Sequence, residues 1–176
     1  MRVCQMINTI HRLVTSASAA VFATAAVADP LEIGAALPAV SQKNQDDQLV
    51  DFSDGAKKTG YLFVYFYPKA DTPGCTKQAC SLRDAYAKLT EIGVSVYGVS
   101  SDKVAEQKVF KAKYKLPFDL LADHDKSVIL AFGVPTTLGF SSRQAFLFKD
   151  GKLVWRDLSA STAEQAADVL KFLKAD

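Results

Sequence analysis

The chain has 176 residues, of which 49% are hydrophobic and 23% are charged, a composition typical of one globular domain. Its formal net charge is +2, and Arg2 and Arg12 account for that excess, because the rest of the chain carries 19 basic and 19 acidic residues. A neutral domain gives no reason to expect nucleic acid or an anionic membrane as a partner.

Residues 1–28 are predicted to be a secretory signal peptide that is cleaved from a single folded domain, 29–176. The segment contains two arginines but no Asp, Glu or Lys, and its stretch Leu13–Val27 is rich in Ala, Val and Phe. Ala26-Val27-Ala28 matches a small-residue cleavage site, and the apolar run is too short to span a membrane. We therefore expect export to the periplasm. Targeting to an organelle is the alternative, because transit peptides are also basic and rich in serine.

The first part of the domain leads into a buried strand. Asp29–Val40 contains two prolines and a glycine and is not expected to be helical, and the polar stretch Ser41–Asp47 predicts a turn or the tip of a hairpin. Gln48–Phe52 predicts a short strand, which Ser53-Asp54-Gly55 would end in a turn. The continuous aromatic and β-branched run Tyr61–Tyr67 predicts a central strand covered on both faces.

A long helix is expected over 73–92, ended by Gly93. Its predicted inward stripe repeats at steps of three and four residues and consists of Ala79, Leu82, Tyr86 and Leu89.

The second half of the domain predicts further alternation and a terminal hairpin. The expected strands are Gly93–Ser100, Gln144–Phe148 and Lys152–Trp155, the last two joined by the turn Asp150-Gly151, and Pro117–Asp123 is expected to be a short strand or a loop. The expected helices are Val104–Lys113, Lys126–Phe132 and a last one beginning at the capping box Ser161/Glu164, with Ala163, Ala166, Ala167, Leu170 and Leu173 facing inward. This order predicts an α/β fold with a central mixed sheet and helices on both faces.

The turn before the long helix carries the chemistry. With Thr72 as N-cap, Pro73 is the first helical residue and Cys75 the third, so the Thr72 hydroxyl is expected beside the Cys75 thiol. Unpaired N–H groups and the helix dipole favour negative charge at this position, which indicates an attacking thiolate. Cys80 is then the candidate for the thiol that resolves its product.

The motif Pro68-x-x-x-Thr72-x-x-Cys75 resembles the active-site signature of the peroxiredoxins. The longer stretch from Tyr67 to Cys80 is similar to the bacterioferritin-comigratory, or Q-type, subfamily. The resemblance implies a thioredoxin-like fold and a thiol peroxidase that reduces hydrogen peroxide and alkyl hydroperoxides. It also implies no cofactor or metal, a monomer, and thioredoxin or a thioredoxin-like protein as reductant.

The resemblance also implies roles for five residues. Cys75 matches the peroxidatic cysteine and Cys80 the resolving cysteine of members that keep both in one helix. Thr72 matches the hydroxyl that bonds the thiolate and the peroxide, and Pro68 the ring that shields the site. Arg143, just before the strand Gln144–Phe148, matches the distant arginine that helps bind peroxide and hold the thiolate charged.

Helix geometry separates the two cysteines. Five helical steps place Cys80 about 140° around the axis from Cys75, with Cα atoms about 8–9 Å apart. A disulfide needs Cα atoms within roughly 4.4–6.8 Å. We therefore expect the first turn of the helix to unwind before the two sulfurs join.

Two other functions fit the cysteines less well. A thiol–disulfide oxidoreductase of the thioredoxin fold usually carries C-x-x-C, which this chain lacks. A non-catalytic exported domain with a structural disulfide would gain little stability from so short a loop. A zinc site built from Cys and His is not expected, since His124 is the one histidine that follows residue 28.

Overall fold

The computed structural model describes residues 29–175, so the predicted signal peptide lies outside the described residues. The strands are β1 (Ser41–Lys43), β2 (Leu49–Asp51), β3 (Tyr61–Phe66), β4 (Val94–Ser100), β5 (Asp119–Ala122), β6 (Thr136–Thr137), β7 (Phe140–Ser141), β8 (Gln144–Lys149) and β9 (Lys152–Asp157). The helices are α1 (Phe52–Thr59), α2 (Pro73–Glu91), α3 (Val104–Tyr114), α4 (Ser127–Ala131) and α5 (Gln165–Ala175).

A five-stranded sheet in the order β5-β4-β3-β8-β9 forms the centre of the domain. The strands β3, β4 and β5 run parallel, whereas β8 is antiparallel to both β3 and β9. The predicted mixed sheet is therefore confirmed. Its middle strand β3 is the aromatic run that the sequence placed at the centre.

Helices cover both faces of the sheet, as predicted. One face packs against α2, α3 and α5, and the other packs against α1 and α4. Alternate residues of β3 enter the two cores: Phe63 and Tyr65 face α2, whereas Leu62, Val64 and Phe66 face the opposite side. The strand reads as continuously apolar because both of its faces are buried.

The prediction of a turn at Ser53-Asp54-Gly55 is wrong, because these residues lie in helix α1. The Asp51 carboxylate accepts a hydrogen bond from Ser53 N (2.7 Å) and caps that helix. A Cβ on Gly55 would lie 2.8 Å from Tyr97 Oη, so the glycine serves close packing here rather than a turn. The hairpin tip expected within Ser41–Asp47 is confirmed over residues 44–48, which join the antiparallel strands β1 and β2, whereas Ser41–Lys43 belong to β1 itself.

The long helix α2 ends at Glu91, with Gly93 in the left-handed region (φ 83°), as the sequence predicts. In its inward stripe Ala79, Leu82 and Leu89 are buried, and Tyr86 is half-buried against Phe118.

The last helix departs from the prediction. The Ser161 hydroxyl does accept from Glu164 N (3.2 Å), but α5 begins only at Gln165. Ala166 is buried, and Leu170 and Leu173 are partly buried against the same core, as expected. Ala167 is exposed, and Val169 is buried instead.

The segment after the predicted cleavage site belongs to the domain. Leu31 N donates to Phe132 O (3.3 Å), and Arg156 Nη1 donates to the carbonyl oxygens of Pro30 (3.3 Å) and Leu31 (2.7 Å). Between residues 29 and 175, no helix combines the length and the apolar character needed to cross a membrane.

Candidate active site

The candidate site lies where β3 leaves the sheet and the chain turns into α2. Tyr67 N still bonds Val99 O (3.1 Å), and Ser141 Oγ donates to Tyr67 O (2.9 Å), so the exit from the strand is held from two sides. Pro68 follows, half-buried, and Asp71 adopts a left-handed conformation (φ 57°). The turn therefore delivers the chain to α2 from a fixed starting point.

Thr72 is the N-cap of α2, with an extended backbone (φ −86°, ψ 153°) that suits a residue before proline. Pro73 is the first helical residue, where its missing N–H costs nothing. The Thr72 side chain makes no capping bond; its hydroxyl donates to Lys69 O at 3.0 Å. In this state the Thr72 hydroxyl donates its proton within the loop, so towards any other group its oxygen can only accept a hydrogen bond.

Cys75 is the third residue of α2, as predicted, and its side chain is only 1% exposed. Thr76 N donates to Thr72 O (2.8 Å), which closes the first turn of the helix beneath the thiol. Arg143 Nη2 lies 3.5 Å from Cys75 Sγ. A guanidinium at this distance stabilises negative charge on the sulfur.

Arg143 reaches the thiol because β8 is paired with β3. Phe66 lies opposite Gln144 in the sheet, which places Arg143 across from the turn that follows β3. Arg143 O accepts from Ala160 N (3.2 Å), so the backbone at this point is held as well. Gly74 leaves the space for the guanidinium, since a Cβ there would lie 3.3 Å from Arg143 Nη2.

A side chain that the sequence analysis did not single out also binds the arginine. Gln78 is fully buried in α2, and its Oε1 accepts a hydrogen bond from Arg143 Nη1. Gln78 follows Cys75 by three residues, so the two share one face of the helix. The spacing of three residues from Cys75 is the sequence feature from which Gln78 could have been predicted as a site residue.

A series of hydrogen bonds between buried side chains holds the loop between β3 and α2 in place. Tyr67 Oη donates to Gln107 Oε1 (2.5 Å), and Gln107 Nε2 donates to Ser100 Oγ (2.7 Å). Ser100 Oγ donates to Asp102 Oδ2 (2.7 Å), which also accepts from Ala70 N (2.7 Å). Burial raises the pKa of Tyr67 far above its usual range, so the phenol stays protonated and remains a donor.

Cys80 lies apart from this arrangement. Both Cys75 and Cys80 are free thiols, and Cys80 is half-buried two turns into a continuous helix. The structure thus brings Cys75 and Arg143 into contact, places Thr72 and Pro68 on the adjoining loop, and leaves Cys80 on another side of α2. In this conformation the site presents one buried sulfur to a guanidinium and to the first turn of a helix.

The chain is similar to known proteins over most of the described residues. Residues 33–156 match the model of the AhpC/TSA family. The chloroplastic peroxiredoxin Q of Oryza sativa subsp. japonica is 46% identical over 105 residues, which cover 60% of this chain and 48% of the rice protein. That of Suaeda salsa is 39% identical over 147 residues, covering 81% of this chain and 67% of the relative. The chain thus spans about half the length of the rice relative.

Solved structures of similar proteins share the fold. Peroxidoxin BcpB from Mycobacterium tuberculosis superimposes with a TM-score of 0.77 and 30% identity, covering 82% of this chain and 97% of that one. The bacterioferritin comigratory protein of Xanthomonas campestris, studied for its alkyl peroxide reduction activity through trapped intermediate and ligand complexes, gives a TM-score of 0.74 and 27% identity. The coverage is 82% of this chain and 98% of that one.

Proposed function

Because this chain belongs to the AhpC/TSA family and is similar to its peroxiredoxin Q members, we propose that it is a thiol-dependent peroxidase. The observation that carries the proposal is the buried Cys75 thiol in the first turn of α2, with Arg143 Nη2 3.5 Å from its sulfur. The substrates proposed are hydrogen peroxide and alkyl hydroperoxides, the second supported by the activity studied in the Xanthomonas relative.

The proposed cycle has three steps. The Cys75 thiolate attacks one peroxide oxygen, the O–O bond breaks, and the sulfur becomes a sulfenic acid while the other oxygen takes up a proton from solvent and leaves as water or an alcohol. The Cys80 thiol then attacks that sulfur, forming an S–S bond and releasing water. An external dithiol protein, proposed to be thioredoxin-like, reduces the disulfide. The acting unit is proposed to be a monomer.

Most of the rate should come from groups around the sulfur rather than from thiolate formation. For any thiol, lowering the pKa from about 8.5 to about 6 raises the thiolate fraction at pH 7 roughly 30-fold. The accompanying loss of nucleophilicity is roughly tenfold, so the net gain is only about threefold. The larger contribution is assigned to Arg143 and the free N–H groups of α2, which stabilise charge on the peroxide oxygens as their bond breaks, and to the Thr72 hydroxyl once peroxide replaces Lys69 O as the acceptor of its proton.

The test is peroxide consumption coupled to thiol loss, measured with dithiothreitol as reductant. The wild-type chain should turn over, and Cys75→Ser should be inactive because the attacking sulfur is gone. The matched control Cys80→Ser, given peroxide without dithiothreitol, should consume one equivalent and stop as a sulfenic acid that dimedone traps, whereas a small thiol such as dithiothreitol can rescue its turnover. Turnover by Cys75→Ser would refute the proposal. Neither a thiol–disulfide oxidoreductase nor a structural disulfide predicts fast peroxide consumption.

The resolving step requires a change in α2. Since the helix is continuous from Pro73 to Glu91, its first turn must unwind for Cys75 and Cys80 to meet. Amide hydrogen exchange across 73–84 should therefore be slow in the reduced protein and much faster in the disulfide form. Equal protection in the two redox forms would contradict this step.

We also propose that residues 1–28 are a leader that is cleaved before Asp29. Its composition supports this, as do the contacts that Pro30 and Leu31 make with the domain. Export is the destination proposed. The alternative, an organelle, is supported by the chloroplastic relatives. The mass of the protein isolated from its cells tests the cleavage, and fractionation of those cells tests the destination.

A further inference from the structure

A buried amide pair connects the candidate site to the last helix. Gln78 Nε2 donates to Gln165 Oε1 at 2.6 Å, and both side chains are fully buried. Because Gln78 Oε1 accepts from Arg143 Nη1, an unbroken series of hydrogen bonds runs from the guanidinium through Gln78 to Gln165. Gln165 is the first residue of α5, and 87 positions of sequence separate it from Gln78.

The direction of these bonds is fixed by chemistry. A guanidinium has only donors, so Gln78 must turn its oxygen to Arg143 and its nitrogen to Gln165. Gln165 must then present its oxygen to Gln78. Turning either amide over would set two donors or two acceptors against each other, so the three side chains have one compatible arrangement.

Gln165 makes this contact at a cost. Its Nε2 is buried without a hydrogen-bond partner among the described residues, and an unpaired buried donor is unfavourable. The neighbouring buried residues of α5, Ala166 and Val169, are apolar. An apolar side chain would fill the Gln165 position without leaving a donor unpaired, so packing alone does not explain an amide here.

The same part of the chain holds the backbone around the site. Ala160 N donates to Arg143 O (3.2 Å), and Ser81 Oγ donates to Ala163 O (2.9 Å). The segment that leads into α5 is therefore attached both to Arg143 and to α2. The backbone that carries Gln165 is therefore held in place relative to both Arg143 and α2.

We propose that Gln165 is a positioning residue: through Gln78 it holds the Arg143 guanidinium in the orientation that faces the Cys75 sulfur. Without its oxygen, Gln78 Nε2 loses its acceptor and the amide rotates, which releases Arg143 Nη1. The guanidinium then spends less time against the sulfur and against a bound peroxide. This role rests on the proposed peroxidase function.

The test compares Gln165→Met, which keeps the length of the side chain and removes both polar atoms, with Gln165→Glu, which keeps an acceptor oxygen for Gln78. Two quantities are measured: kcat/KM for hydrogen peroxide, and the pH midpoint of the thiolate absorbance at 240 nm in a chain that also carries Cys4→Ser and Cys80→Ser. Gln165→Met should lower kcat/KM about fivefold and move the midpoint up by about half a pH unit. Gln165→Glu should stay within about twofold of wild type.

A double-mutant cycle separates this role from a merely structural one. If Gln165 acts through Gln78, adding Gln165→Met to Gln78→Met should cause no further loss of kcat/KM. Val169→Ala, which opens a cavity under the same helix, should lower the unfolding temperature and leave the thiolate midpoint unchanged.

The outcomes are distinct. A wild-type chain that consumes no peroxide would refute the proposed function itself. An active wild type with an unchanged thiolate midpoint in Gln165→Met, or with additive losses in the double variant, would overturn the positioning role alone. Loss of activity in Gln165→Met with recovery in Gln165→Glu and no additivity with Gln78→Met would establish it.

Discussion

The two faces of the central sheet receive alternate residues of the same strand and differ in what they contain. On the side of α1 and α4 the core is built from Phe, Leu, Val and Ile, and the Phe132 ring lies at its middle. On the side of α2 and α5 the core holds Tyr65, Tyr67 and Cys75, with the buried amides close by. One strand thus serves two cores of different character.

The difference separates stability from chemistry. Apolar contacts are non-directional, so the first face stabilises the fold roughly in proportion to the area it buries. The second face contains groups that need specific partners, and three of the four buried, unpartnered side-chain atoms among residues 29–175 are on its residues: Tyr65 Oη, Thr76 Oγ1 and Gln165 Nε2. We infer that the apolar face compensates for the cost of the polar one.

The largest expected effect comes from removing the centre of the apolar face. Phe132 is fully buried, and the ring centroids of Phe52, Phe66, Phe146 and Phe148 lie 5.2–5.8 Å from its own. Phe132→Ala should reduce the free energy of unfolding by about 3–5 kcal/mol, because it leaves a cavity that these rings cannot fill. Chemical denaturation measures the loss.

The comparison also requires that catalysis survive this change. In the folded fraction of Phe132→Ala, kcat/KM should stay within about twofold of wild type, since no described contact of Phe132 reaches the site. Phe132→Leu, which fills more of the space, should cost no more than about half as much stability. A Phe132→Ala variant that is stable but slow would mean that the two faces are not separate.

Arg143→Lys should have the opposite effect to Phe132→Ala, because it should lower kcat/KM and leave stability nearly unchanged. Lysine keeps the positive charge, but it has no planar fork to bind Gln78 and the Cys75 sulfur at the same time. We expect kcat/KM to fall about 10²–10³-fold, as it does when a preorganised donor to developing charge is lost. The unfolding temperature should change little, because the side chain is only half-buried.

Arg156→Lys is the matched control. Arg156 binds Glu32 (2.8 Å) and the carbonyl oxygens of Pro30 and Leu31, none of which belongs to the candidate site. This replacement should lower stability modestly and leave kcat/KM unchanged. If both lysine variants slow the reaction equally, the effect is not specific to Arg143.

The sequence predicted the strand, the helix and the cysteine position because each depends on local signals. Proline after an N-capping threonine starts α2, and apolar residues at steps of three and four define its inner face. The turn predicted at Ser53-Asp54-Gly55 was wrong because packing overrode the local turn preference, since Gly55 lies against Tyr97. Local rules do not contain that contact.

Some polar residues of the site could not be predicted from the sequence, because their contacts also depend on tertiary packing. Arg143 was found through the resemblance, and Gln78 could have been found from its spacing to Cys75. Gln165 could not, since the one hydrogen bond described for its side chain joins it to a residue 87 positions away. The use of the Thr72 hydroxyl by Lys69 O likewise depends on the shape of the loop rather than on the motif.

The smallest expected effect concerns the exposed edge of the face that contains Cys75, where Asp71 joins the loop before α2 to α3. Its carboxylate accepts hydrogen bonds from Lys113 Nζ (2.7 and 2.9 Å) and from Tyr114 Oη (2.6 Å). The bond from Lys113, followed by that from Tyr114, lowers the pKa of Asp71 below its usual value. This contribution is therefore present above about pH 4 and is lost as the pH falls through the lowered pKa.

Asp71→Asn should remove the charge and keep the shape, so the loop opens slightly more often. Because the pair is exposed, we expect amide exchange over residues 71–78 to rise by no more than about threefold at pH 7. Once the pH has fallen below the lowered pKa of Asp71, the variant and the wild type should behave alike, since the wild-type carboxylate is then neutral as well. Asp84→Asn, which removes an exposed partner of Arg83, is the control and should leave the exchange of the loop unchanged. If Asp71→Asn instead accelerates exchange as strongly as oxidation does, Asp71 is a principal restraint on the unwinding of α2. The conformation of the face that contains Cys75 would then depend on its surface charges as well as on its buried amides.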